Sequence, residues 1–223
     1  MERVPIELET FHHIYNRGTE KRQIFMDDED YKRFVLYINV LNNKKTENPS
    51  KLAEQGRLES YQVERRLVEV CAFTLMPNHY HLLLYELTEG GIAKFMQRLG
   101  TAYTVYFNEK YTRSGALFQG VYKSKYVVDE SYLLHVINYI HFNPKDLVDF
   151  KIRNSLSSFL DYLDSYPWTS YGVYANNESS KLIQRNSLLD LVELEKEYRS
   201  ELLSLYDDTD LVTECIKKLT FDE

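Results

Sequence analysis

Cysteine is nearly absent from these 223 residues, with only Cys71 and Cys215, far apart and without metal-ligand spacing. That argues against a disulfide framework or a thiolate metal site. It fits a reducing, cytoplasmic setting in which Cys71 is a buried thiol. Long apolar runs are missing too. No stretch approaches the ~20 apolar residues needed to span a bilayer, so no membrane partner is expected. The opening MERVPIELET is acidic and polar, and no signal peptide is expected there. There are no internal repeats and no low-complexity tracts. A net positive charge is also lacking. The formal charge of −7 weighs against a nucleic-acid partner.

The position of that charge changes its meaning. Residues 186–223 hold eleven acidic side chains against four basic ones, so this segment alone carries the whole excess. Residues 1–185 are balanced, and within them 89–126 has six basic side chains against two acidic ones. A local basic stripe matters more to phosphate binding than the overall charge. What remains is ordinary: a hydrophobic fraction of 43% supports a packed core, and 27% charged residues suit a soluble chain.

Hydrophobic periodicity orders the elements. Residues 10–17 are aromatic and β-branched and predict a strand ending at Gly18. Asp27 and Asp28 precede Tyr31, Phe34, Val35, Ile38 and Leu41 on one helical face. The polar stretch 42–66 reads as a peripheral insertion with one short helix. Strands follow at 67–76 and 79–87, turning at Pro77-Asn78. A long amphipathic helix runs from 92 to about 110, then a strand over 117–128. Asp129 caps a helix over 130–142 that stops before Pro144. The order β-α-β-β-α-β-α predicts an α+β, ferredoxin-like split βαβ fold with an antiparallel sheet, helices on one face and extra C-terminal helices. Residues 1–150 would form the catalytic domain. Residues 151–223 would form a helical, acidic extension, with helices near 155–164 and 187–205.

Two constellations could carry chemistry. His79 and His81 flank Tyr80 on a strand, so both imidazoles project from one face and can chelate one divalent cation. A His-x-His pair also arises by chance, and two polar residues on a wet strand face explain it equally well. Tyr139 and Asn143 lie one helical turn apart, where a phenol and an amide oxygen can address one site. Equally, Tyr139 is one of 19 tyrosines and Asn143 suits a helix C-cap. His12 and His13 face opposite ways, so at most one could join a shared site. Both are expected to be structural, with one of them at best supporting a ligand from behind.

The strings HIYNRG (13–18), IFMDDEDYKRF (24–34), MPNHYHLLL (76–84), LFQGVYKS (117–124) and YLLHVINYIHFNP (132–144) together resemble the single-tyrosine HUH transposases. They are most similar to the REP-associated branch, with a fainter echo in YPWTSY (166–171). The resemblance implies that His79, His81 and Asn143 hold Mg2+ or Mn2+. It implies that Tyr139 is the nucleophile, forming a 5′-phosphotyrosine on single-stranded or hairpin DNA. Arg17, Lys94, Arg98, Arg113, Lys123 and Lys125 are the candidate DNA contacts, with tyrosines interleaved among them. A monomer with its site completed in cis is expected, a dimer being the alternative. The acidic tail is expected to repel non-cognate strands from the groove. Two other readings stay open: a metal-dependent phosphodiesterase or nuclease with no covalent intermediate, and a domesticated DNA-binding protein. Tyr80 departs from the aliphatic residue usual between the histidines, and packing on the far face is expected to absorb it.

Overall fold

The computed structural model describes residues 7–45, 47–127, 129–153, 155–189 and 198–205. In chain order the elements are β1 (Phe11–Arg17), α1 (Asp28–Leu41), α2 (Pro49–Glu54), β2 (Val68–Met76), β3 (His79–Glu86), α3 (Gly91–Lys110), β4 (Lys123–Tyr126) and α4 (Glu130–Phe142). Then come α5 (Phe150–Arg153), α6 (Leu156–Ser165), α7 (Tyr171–Ala175), α8 (Asn186–Leu189) and α9 (Tyr198–Leu205). The strands form one sheet in the order β2-β3-β1-β4, and every neighbouring pair is antiparallel. This is the split βαβ arrangement expected from the element order.

Sheet parity decides which helix covers which face. Tyr80, between the two histidines, is buried against Phe34 of α1 (ring centroids 5.1 Å apart) and Phe118 (5.9 Å). Tyr103 of α3 packs edge-on against the same Phe34 at 4.8 Å. The two crossover helices α1 and α3 therefore share one face. The added helix α4 covers the other, the face from which His79 and His81 project. Tyr80 is accommodated by packing, as its outward parity required.

The expected strand over 117–128 is shorter than the sequence suggests. Only Lys123–Tyr126 pairs regularly, with an isolated bridge between Gly18 and Phe118. Gly120, at φ 153°, breaks the run, and its carbonyl accepts from Asn16 Nδ2 at 3.0 Å. Gly18, which ends β1, has a different constraint. A Cβ there would stand 2.3 Å from the Arg22 carbonyl oxygen, so only glycine lets the chain turn back so tightly.

The 42–66 insertion does contain one short helix, α2, capped by Asn48. Its two ends are tied together by buried Asn42, whose Oδ1 accepts from the amides of Leu67 and Val68, both at 3.0 Å. Its Nδ2 donates to the Val68 carbonyl at 2.8 Å. The described part of 151–223 is helical and joins the same core rather than standing apart. The Leu75 amide donates to the Trp168 carbonyl at 2.8 Å, and the Ser170 amide to the Phe73 carbonyl at 2.9 Å. The YPWTSY segment thus covers the outer edge of β2, satisfying backbone groups that an open edge would expose. Cys71 is buried, and burial pushes its thiol pKa well up. Cys215 and most of the acidic tail, including the middle of the 187–205 helix, lie outside the described residues.

Two packing features make predictions. Asp30, fully buried, accepts from the Met26 amide at 2.8 Å, Tyr111 Oη at 2.7 Å and Tyr106 Oη at 3.0 Å. Lys110 Nζ stands 2.9 Å from both Asp27 and Asp30 and 3.3 Å from Glu29, clamping the start of α1 to the end of α3. Lys110→Met would strand a buried carboxylate without its cation. It is expected to cost about 3 kcal/mol, measured by urea unfolding; a loss under about 1 kcal/mol would show that the two tyrosines and the amide suffice.

His12 lies on the α1/α3 side of β1. Its Nδ1 is 3.0 Å from Ser124 Oγ and its Nε2 3.1 Å from Thr10 Oγ1. Burial pulls its pKa down from 6.5 to about 4. The unfolded chain therefore takes up a proton that the fold refuses. Stability is whole above about 6.5 and falls as pH drops toward about 4. Buried His13 and His81 act with the same sign, so the contrast with a variant is what reports His12. Unfolding at neutral and acid pH should show a shallower decline in His12→Asn than in the parent, by up to ~1.4 kcal/mol per pH unit. Parallel slopes would remove His12 from this account.

Candidate active site

The register of β1 against β3 builds the site. Tyr15 sits opposite His81, and Arg17 opposite His79, so His13, Tyr15 and Arg17 share the histidines' face. The rings form a tight group. His81 and His13 stack at 5.1 Å between centroids, His13 and Tyr15 at 5.2 Å, and His79 meets His81 edge-on at 5.1 Å. From above, α4 lowers Tyr139 onto them, its ring edge-on to His81 at 5.4 Å and to His13 at 5.6 Å. Asp129 fixes the start of α4, accepting from the Tyr132 amide at 2.7 Å. Tyr139 thus reaches its own chain's histidines.

Asn143 serves two ends at once. Its Nδ2 donates to the Tyr139 carbonyl at 2.8 Å, as a C-cap would, which assigns the amide and turns Oδ1 toward the histidines. Oδ1 then lies 3.4 Å from His79 Nε2. That is long for a hydrogen bond. Two adjacent ligands each about 2.1 Å from one octahedral cation stand roughly 3.0 Å apart, so the observed separation is a few tenths of an ångström wider than a shared ion would set. The other ring nitrogens are engaged behind. His79 Nδ1 is 2.6 Å from Asn78 Oδ1, and His81 Nδ1 is 2.9 Å from His13 Nε2. Both ligand candidates therefore turn Nε2 forward. Burial holds His81 well below its usual pKa, with His13 and His79 adding to the effect. Burial and then Lys125 pull His13 down to about 3, so these rings are neutral, as metal ligation requires. Among the described residues no group of three or more His, Cys, Asp or Glu could hold a metal. The amide of Asn143 is the neutral third donor that the geometry offers.

These side chains open onto a cavity of about 710 Å³. Arg17, Lys21, Lys123 and Lys145 line it, against Asp146 as the one acidic lining residue. Its local charge is positive although the chain's is negative. Lys123 Nζ lies 5.6 Å over the Tyr15 ring, and burial pulls the Lys145 ammonium down. Of the expected DNA contacts, Arg17 and Lys123 are here. Lys125 sits beside them, paired across the ladder with His13. Arg98, Lys94 and Arg113 are not, which corrects the single stripe expected from sequence. Lys94 and Arg98 ride on α3, on the opposite face of the sheet. Arg98 Nη1 donates to the Asn43 carbonyl at 2.7 Å and borders a separate hollow beside α2. Arg113 is bound to Asn108 and, at 3.0 Å, to the Ala116 carbonyl. Sequence reasoning missed Lys21 and Lys145, which lie in irregular turns, and did not single out Tyr15; it left His12 and His13 open as a support from behind, and His13 is the one on this face.

The chain is thus an antiparallel split-βαβ sheet with a histidine pair facing a helix-borne tyrosine, over a cavity whose charged lining is mainly cationic. Residues 13–143, more than half of the chain, match the family described as transposase, IS200 like, and the chain belongs to that family. Membership makes it a DNA-binding protein of the transposition machinery. No curated protein matches the chain significantly in sequence. A solved structure of a REP-associated tyrosine transposase bound to a REP hairpin is similar at 14% identity, covering 84% of this chain and 94% of that one, with a TM-score of 0.49. No helix among the described residues is long and apolar enough to cross a membrane.

Proposed function

We propose that this transposase cuts and rejoins single-stranded or hairpin DNA, the substrate class that its sequence resemblance implies, through a covalent tyrosine intermediate formed in cis. The observation that carries the reading is convergence. Tyr139 lies against His81 while Asn143, one turn on, turns its oxygen to His79. In the reaction the Tyr139 phenolic oxygen attacks the scissile phosphorus and loses its proton to solvent. The bond from phosphorus to the 3′-oxygen breaks, and that oxygen takes up a proton. The products are a 5′-phosphotyrosine and a free 3′-hydroxyl. Phenolate is a good leaving group, so a 3′-hydroxyl can reverse the step and rejoin the strand.

His79, His81 and Asn143 would hold Mg2+ or Mn2+, which offsets phosphate charge as a Lewis acid when bound. Two imidazoles and one amide make a weak set for a hard cation. Phosphate oxygens of the DNA are needed to complete it. Arg17, Lys21, Lys123 and Lys145 track the backbone, and Tyr15 offers a ring for stacking.

The test is trapping on 3′-end-labelled single strands with Mn2+, followed by denaturing electrophoresis. A label that stays with the protein supports the covalent route. Cleavage without an adduct would replace it with a metal-dependent phosphodiesterase, and retention of intact DNA with a binding protein. The cis arrangement makes a separate prediction. A mixture of Tyr139→Phe and His81→Ala chains should remain inactive, whereas restored cleavage would mean that a partner chain supplies the tyrosine.

A further inference from the structure

We propose that His13 is a positioning residue, whose Nε2 accepts a hydrogen bond from His81 Nδ1–H and so presents His81 Nε2 to the metal. The inference rests on the metal reading of the site above. The two nitrogens are 2.9 Å apart, and both residues are buried, His13 1% and His81 5% exposed. Only one proton fits between them. If His81 donates, its Nε2 carries a lone pair and can ligate. If His13 donates, the His81 proton sits on Nε2 and ligation is blocked. The bond between two side chains 68 residues apart therefore selects the tautomer of a candidate ligand.

The neighbourhood holds the acceptor still. His13 is stacked on Tyr15 and on His81, and Tyr139 stands edge-on above it. Lys125 is its partner across the β1–β4 ladder. His12, one residue earlier, faces the other side and takes no part. The resulting chain, His13 to His81 to metal, parallels the bond from Asn78 Oδ1 to His79 Nδ1 at 2.6 Å. A side-chain acceptor thus stands behind each of the two histidines.

The test uses the full chain and Mn2+ as the probe. His13→Leu removes the acceptor, and His13→Gln restores an oxygen close to the position of Nε2. Mn2+ affinity measured with single-stranded DNA present should fall about 10- to 100-fold in His13→Leu and recover most of the way in His13→Gln. Thermal unfolding of both should stay near that of the parent. In parallel, 15N-detected imidazole spectra of the metal-free protein should show His81 as the Nδ1–H tautomer, and a mixture of tautomers in His13→Leu. Equal Mn2+ affinity in His13→Leu and the parent would overturn the proposal, and so would an Nε2–H tautomer for His81 in the parent. If the parent and His81→Ala bind Mn2+ alike, the metal reading itself fails. The tautomer spectra then still decide whether His13 orients His81.

Discussion

Tyr139→Phe should bind single-stranded DNA as the parent does and form no covalent product. The substitution removes one oxygen and keeps the ring, so the edge-on contacts with His81 at 5.4 Å and His13 at 5.6 Å persist. Asn143 keeps its orientation as well, because Nδ2 bonds the backbone carbonyl of residue 139 and not the side chain. The cations that would track the phosphates are untouched. Cleavage should therefore fall by at least ~10³-fold, the scale on which loss of a nucleophile is felt when binding survives. Binding by fluorescence anisotropy and adduct formation on denaturing gels measure the two halves separately. An adduct formed at parental level by the Phe variant would point to another tyrosine. Tyr15 is the nearest alternative, since its ring stacks on His81 at 5.8 Å.

His81→Ala should cost metal binding and cleavage together, each by more than about 100-fold, beyond what an outer partner of a ligand costs. His79→Ala is expected to behave alike. Asn143→Ala removes the third donor but also a bond to the last turn of α4, so it combines lost ligation with a looser Tyr139. The contrast lies with Tyr139→Phe, which should bind Mn2+ at parental affinity. Calorimetry with Mn2+ in the presence of uncleaved DNA resolves the two patterns. Cleavage lost with metal binding intact in His81→Ala would assign that histidine to proton transfer instead.

The face shared by His79 and His81 was legible because strand parity is local, and so was the turn between Tyr139 and Asn143. What parity could not supply was register. His12 and His13 were equivalent candidates until Tyr15 was seen opposite His81, a pairing between residues 66 positions apart in sequence. The same limit misplaced Arg98 and Lys94. Their helix has a clear apolar face, but its period does not say which side of the sheet it covers. Lys21 and Lys145 lie where no period exists, Lys21 at a positive φ of 60° and Lys145 in a 3-10 turn. The strand expected over 117–128 was overextended because aromatic and β-branched composition continues through a loop that Gly120 bends away from the ladder. The YPWTSY string was visible, but its role in covering the edge of β2 depends on contacts across about 95 residues.

Peptide mass spectrometry of the chain trapped on a single-stranded oligonucleotide with Mn2+ tests the central claim most directly. The peptide ending at Lys145 contains Tyr126, Tyr132 and Tyr139, and fragmentation distinguishes them. The account predicts a nucleotide linked through its 5′-phosphate to Tyr139, absent when Mn2+ is withheld. A linkage to any other residue, or cleavage products with no linked peptide, would contradict it.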